Sequence, residues 1–206
     1  MITQVLIIDF GSQLTKLIAR RVREIGIYCE ITPYDKVNLK FLKNKQPSAL
    51  IFSGGPSSVL DRHSPKIGKF IYEFGIPILG ICYGLQLISN FFKGKIDASS
   101  SREFGKANIK LVSNSNLFNG VYSFEKKYQV WMSHSDSLTE LPKGFKVIAS
   151  SENSKYTAIE NKSKKIYGLQ FHPEVIHTYK GGKIIENFLI KISRCTKDWD
   201  MRSFKD

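Results

Sequence analysis

Cysteine is scarce in this sequence. Its three thiols, Cys29, Cys82 and Cys195, are odd in number and widely spaced, and no C-x-x-C pair is present. That argues against a disulfide-stapled secreted scaffold, a zinc ribbon or a dithiol redox couple, so reduced thiols are expected. Any apolar run approaching the roughly 20 residues of a membrane helix is also missing, and no membrane partner is expected. The start, Met1-Ile-Thr-Gln-Val-Leu6, lacks the basic, apolar and small-residue sections of a secretory leader, which points to the cytoplasm. Acidic residues are the minority, 18 against 31 Lys and Arg, for a net charge of +13. A charge of that sign can mark a nucleic-acid surface, but the lysines are scattered rather than clustered on one helix, so no nucleic-acid partner is expected. A solvated lysine-rich surface or a docking face for an acidic partner accounts for the excess. Repeats, low-complexity tracts and Pro-rich linkers are absent as well. The 206 residues therefore read as one domain over 1–192, with the polar tail 193–206 as the only linker-like stretch.

Apolar patterning supplies an order of elements. Residues 4–9 form a nearly continuous apolar run, as in a strand buried on both faces. Leu14, Leu17, Ile18, Val22 and Ile25 recur at helical spacing, with Ser12 as the expected N-cap and Gly26 as terminator. Further strands are expected at Ile27–Thr32, Ala49–Phe52 and Pro77–Ile81, and helices at Lys66–Phe74 and Gly84–Phe92. Such alternation predicts an α/β fold whose parallel sheet binds ligands at its carboxyl ends. From about residue 94 the pattern changes to short strands, including Ile109–Val112, Tyr128–Met132, Phe145–Ala149 and Ile166–Gln170. A last helix is expected over Gly182–Ile192.

Three segments carry chemistry. Gly80-Ile-Cys-Tyr-Gly84 sets a cysteine between a predicted strand and helix, with glycines two residues to either side, in the manner of a nucleophile elbow. A helix N-terminus there favours the thiolate, although a free cysteine is more often a buried small hydrophobe. A thiol nucleophile needs a base, and His172 directly follows a predicted strand end. Glu174 is two residues on, so in extended chain both side chains point the same way and the carboxylate can orient the imidazole. A structural histidine is the plain alternative, and a metal set of His172, Glu174 and His177 is the rival, for which no fourth ligand is evident. Acyl transfer also needs oxyanion donors. The amide of Tyr83 is one, and the Gly54-Gly55-Pro56 turn, otherwise a mere tight turn, offers another.

Together these segments resemble the class I, or triad, family of glutamine amidotransferase domains across nearly the whole chain. Ile8-Asp-Phe-Gly-Ser12, Gly80-Ile-Cys-Tyr-Gly-Leu-Gln86, Arg102-Glu-Phe-Gly105, Trp131-Met-Ser-His134 and Phe171-His-Pro-Glu-Val-Ile-His-Thr178 are most similar to its GMP-synthesising branch. The resemblance implies a flavodoxin-like, three-layer α/β fold with a mostly parallel central sheet and a strand-rich second half. It implies that Cys82 forms a γ-glutamyl thioester, that His172 and Glu174 complete the triad, and that the Gly55 and Tyr83 amides form the oxyanion hole. Gln86 is implied to hold substrate glutamine, Ser57 to lie in the glycine-turn pocket, and the backbone at Ser135 and Asp136 to face the amino-acid end of the substrate. No metal or organic cofactor is implied for this half-reaction. ATP, Mg²⁺ and XMP would belong to an ATP-pyrophosphatase domain whose phosphate-binding loop the sequence lacks.

By the same resemblance Asp198-Trp-Asp-Met-Arg-Ser-Phe204 looks like the start of the connection to that domain, so a piece of a longer polypeptide is expected rather than a free-standing protein. The loops around Arg102 and His177 are expected to face the partner. One departure stands out. The family pattern Ser-His-Gly-Asp reads Ser133-His-Ser-Asp136 here, which would strain the loop if residue 135 required positive φ. An amidotransferase of another synthetase, a stand-alone γ-glutamyl hydrolase and a non-catalytic binding module are the competing readings.

Overall fold

The computed structural model describes residues 3–200, and the side chains of all of these but residues 99–102. The Arg102 side chain and residues 201–204 of the expected connection thus lie outside the described residues. Among the described residues nine strands, β1 Val5–Asp9, β2 Cys29–Pro33, β3 Ala49–Phe52, β4 Ile78–Ile81, β5 Lys95–Leu111, β6 Tyr128–Glu140, β7 Lys146–Ser151, β8 Ala158–Asn161 and β9 Ile166–Leu169, form one sheet in the order β2-β1-β3-β4-β9-β8-β7-β5-β6. The helices are α1 Thr15–Glu24, α2 Leu39–Lys45, α3 Phe70–Glu73, α4 Tyr83–Phe91 and α5 Gly181–Glu186, the last continuing as a π-helical segment over Asn187–Ile192.

Strands β2, β1, β3, β4 and β9 run parallel to one another, while β8, β7, β5 and β6 extend the sheet antiparallel. Alternate residues of the parallel strands feed two separate cores. Val5, Ile7, Ile51 and Leu79 pack with α1 and α5 on one face. Leu6, Ile8, Leu50, Phe52 and Ile78 pack with α2, α3 and α4 on the other. A strand buried on both faces has no polar side to show, which is why these segments read as unbroken apolar runs. The result is the expected three-layer α/β sandwich, with a mixed rather than uniformly parallel sheet.

Several local expectations change. The N-cap of α1 is Leu14, without a side-chain cap, and Ser12 Oγ instead accepts from the Leu14 amide at 3.0 Å, shaping the turn before the helix. Gly26, at φ +90°, ends it as anticipated. The helix expected from Lys66 shrinks to Phe70–Glu73; Gly68, a poor helix former, lies in the lost part, with the Phe70 ring folded back over it. Helix α2 has no counterpart among the expected elements. Only Leu42 of its residues is buried, leaving almost no apolar periodicity, and the Asn38 side chain caps it by accepting from the Phe41 amide at 2.9 Å. Ser135 lies inside β6 with no positive φ, so the strain expected of a side chain at that position is absent.

The linker-like tail is docked as far as it is described. Gln4 donates to the Thr196 carbonyl at 3.0 Å and to Asp198 Oδ1 at 2.6 Å, and accepts from the Thr196 amide at 2.8 Å. The Trp199 amide donates to the Gly26 carbonyl at 3.1 Å, and its side chain is buried. Among the described residues no helix is long and apolar enough to cross a membrane.

Candidate active site

Strand β4 delivers Cys82 to the carboxyl edge of the sheet, where the Cys82 amide donates to the Leu169 carbonyl of β9 at 2.7 Å. The sharp turn is made by the cysteine itself, at φ 53° and ψ −105°, a strained conformation that costs on the order of 1–3 kcal/mol. The two glycines flanking it make room for close packing. A methyl on Gly80 would meet Ile88 Cδ1 at 2.5 Å and the Gly84 backbone at 2.6 Å, and one on Gly84 would meet the Phe52 carbonyl oxygen at 2.7 Å. They let α4 start hard against β3 and β4. Tyr83 is then the first residue of α4, where an N–H has no intrahelical acceptor and points forward.

His172 reaches the sulfur from β9. Its amide donates to the Trp131 carbonyl at 2.9 Å, while Thr178 Oγ1 donates to the His172 carbonyl at 2.6 Å and accepts from the Trp131 amide at 3.0 Å. The residue is pinned to β6 from both sides. Nδ1 lies 2.8 Å from Glu174 Oε1, with the carboxylate wholly buried, as the two-residue spacing predicts. Burial pulls the imidazole pKa down, but hydrogen bonding to Cys82 and Glu174, with the charges of both, overrides it and pushes the value up to about 10. The Cys82 sulfur on one side and the buried Glu174 carboxylate on the other thus both favour the protonated ring.

The sulfur has two further neighbours. Sγ lies 3.4 Å from the Ser133 carbonyl oxygen of β6, and Gln170 Nε2 lies 3.8 Å from it. Gln170 is absent from the residues expected at the site, although the alternation that pairs His172 with Glu174 also puts residue 170 on that side. Gly54 packs on the pair, since a methyl there would sit 3.1 Å from His172 Cε1 and 3.7 Å from Cys82 Cβ. Gly55 lies beside the Tyr83 ring, with its hypothetical methyl 3.5 Å from Cδ1.

Cys82 opens into a pocket of about 170 Å³ whose lining includes Gly55, Ser57, Tyr83, Gln86, Ser135 and Asp136, every residue named from the sequence for the oxyanion and the substrate. It is well below the ~300–1,000 Å³ of drug-sized sites and suits a ligand the size of an amino acid. Cavities of about 550 and 640 Å³ occur elsewhere, but neither is lined by Cys82 or His172. The Gln86 carboxamide donates to the Asp136 carbonyl at 3.1 Å, so its nitrogen braces the pocket wall. Phe104 and His134, which also line the pocket, and Glu103 are not among the expected site residues, and no spacing rule would have found them. His177 does not join His172 and Glu174 in a metal set; its ring is 4.8 Å from that of Trp131, tilted by 30°. Among the described residues no group of three or more His, Cys, Asp or Glu is placed to hold a metal.

Comparisons with known proteins agree with this geometry. Residues 6–192 match the model of the family described as glutamine amidotransferase class-I. The chain is 51% identical over 203 residues to a GMP synthase [glutamine-hydrolyzing] of Brachyspira hyodysenteriae, covering 98% of this chain and 39% of that protein. It is likewise 51% identical over 200 residues to the protein of that name from Caldicellulosiruptor saccharolyticus, covering 97% and 38%. It thus spans about two-fifths of the length of these relatives. Among solved structures, one described as a candidate GMP synthase subunit from Thermoplasma acidophilum superposes with a TM-score of 0.81 at 31% identity, over 94% of this chain and 95% of that one. A glutamine amidotransferase from Thermotoga maritima, 18% identical, shares the fold with a TM-score of 0.72 over 94% and 99%. With its family match running from β1 to the end of the last helix, the chain belongs to the class I glutamine amidotransferase family.

Proposed function

We propose that this chain is the glutaminase part of a GMP synthetase, releasing ammonia from glutamine through Cys82, His172 and Glu174. The observation that carries the reading is the line from Cys82 through His172 to the buried Glu174, set at the mouth of an amino-acid-sized pocket. The Cys82 sulfur attacks the side-chain carbonyl carbon of glutamine, and the developing oxyanion is met by the Gly55 and Tyr83 amides. His172 gives its proton to the departing amine, so ammonia leaves and a γ-glutamyl thioester remains. A water then attacks that thioester as His172 accepts its proton, and glutamate departs with the thiolate restored. Glu174 holds the imidazole in register and offsets its charge throughout.

Ser57, Gln86, Ser135 and Asp136 bound the space for the substrate's amino-acid end. No metal or organic cofactor enters this half-reaction. ATP, Mg²⁺ and XMP belong to the partner, an ATP-pyrophosphatase domain that follows the 193–206 connection and faces the loops around Arg102 and His177. Three unpaired, buried cysteines fit a cytoplasmic location.

The test is glutamate release by wild type and Cys82→Ala, with and without an ATP-pyrophosphatase domain, ATP, Mg²⁺ and XMP. Release that requires Cys82, rises with the full mixture and accompanies GMP formation is expected. Unstimulated release would assign the chain to another synthetase, and no release from wild type under any condition would sink the proposal.

A further inference from the structure

In the pocket wall lies a buried His–Glu pair that the reaction does not use. His134 Nε2 is 3.1 Å from Glu103 Oε2, with side chains 1% and 7% exposed. The other ring nitrogen, Nδ1, is 3.0 Å from the Asp136 carbonyl, the same oxygen that accepts from Gln86 Nε2 at 3.1 Å. Both ring partners are oxygens, and the Asp136 carbonyl meets both His134 and Gln86. The chain Glu103–His134–Asp136–Gln86 ties β5 and β6 to α4, the helix that begins at the nucleophile.

It sits at an irregularity of the sheet. His134 pairs with Glu103 and Asp136 with Ala98, and the register shifts between those two points, so the regular ladder is interrupted there. A buried polar pair of this kind contributes little net stability against its desolvation cost, which leaves a specific geometry as the reason to keep one. We propose that Glu103 and His134 are positioning residues that fix the Asp136 backbone for recognition of the amino-acid end of glutamine. This rests on the assignment of the pocket as the glutamine site.

The experiment separates binding from turnover. Glutamine affinity is measured by calorimetry in a Cys82→Ala background, and KM and kcat are measured with Cys82 intact, for Glu103→Gln, His134→Gln and His134→Asn. Asn keeps a donor near the Nδ1 position, whereas Gln reaches toward Glu103 and loses the Asp136 bond. His134→Gln is expected to raise Kd and KM about tenfold, the scale of one lost buried hydrogen bond, with kcat within about twofold. His134→Asn recovers most of that loss, and Glu103→Gln falls between.

Unchanged Kd and KM in a protein that still turns over glutamine through Cys82 would overturn the positioning role alone. So would losses that track a lowered Tm equally in all three variants. Wild type that neither binds nor hydrolyses glutamine would bring down the pocket assignment and this proposal together.

Discussion

The imidazole of His172 is the residue whose protonation most directly links stability to the site. Its folded pKa is raised from 6.5 to about 10 against the pull of burial, by Cys82 and Glu174. Below about pH 6.5 folded and unfolded chains both hold the proton, and the ring's interactions contribute in full. As pH rises toward about 10 the unfolded chain loses its proton first, and that contribution drains away. The stability advantage of wild type over His172→Gln, read from urea unfolding midpoints, should therefore shrink steadily from pH 7 to pH 10. An advantage that grew over that range would mean the ring is folded neutral. Ser135 teaches a different lesson at this scale. A substitution against a family pattern suggests strain only if the backbone needs glycine, and here β6 carries residue 135 without positive φ.

Among the elements, the stretch from β9 to α5 holds His172 in place, and Thr178 is its pin. Its hydroxyl bridges the His172 carbonyl and the Trp131 amide at 2.6 and 3.0 Å while buried. Thr178→Val orphans two backbone groups, so it should cost about 1–3 kcal/mol in chemical denaturation and lower Cys82-dependent glutamate release by ~10–100-fold. Asn187→Ala is the control. It removes hydrogen bonds to the Leu117 and Asn119 carbonyls, each 3.0 Å long, within the α5 layer, and should lower stability with turnover unaffected.

The same elements show how far the sequence can be read. Strands β1, β3 and β4 are evident because both their faces are buried, and Cys82, His172 and Glu174 because each belongs to a local pattern of spacing. Strand β8 escapes detection because its Ala-Ile-Glu-Asn carries a buried Glu160 that bonds Ser115 and pairs with Lys146. Most of β5 is hidden for a related reason, since polar residues over Lys95–Leu111 are ordered by pairing with β6 and not by any period of their own. Glu103 and His134, 31 residues apart, meet only through that pairing.

For the molecule as a whole, the docked tail fixes where the polypeptide leaves the domain. Gln4 on the lead into β1 holds residues 196 and 198, and Trp199 lies against Gly26 at the end of α1. In Gln4→Ala the Trp199 amide should lose at least tenfold of its hydrogen-exchange protection, with red-shifted tryptophan fluorescence, while amides of β3 and β4 keep theirs. Unchanged protection at Trp199 would mean that the indole, not Gln4, anchors the tail.

The site itself joins segments far apart in the chain. Strands β4 and β9 are neighbours in the sheet, yet Gln170 follows Cys82 by 88 residues. On the ribosome the thiol and its elbow emerge while the imidazole is still unmade, and roughly 4–20 s of elongation separates them. A nascent chain therefore carries Cys82 without its proposed base, and the pair forms only when β9, the strand that completes the parallel half of the sheet, slides in beside β4.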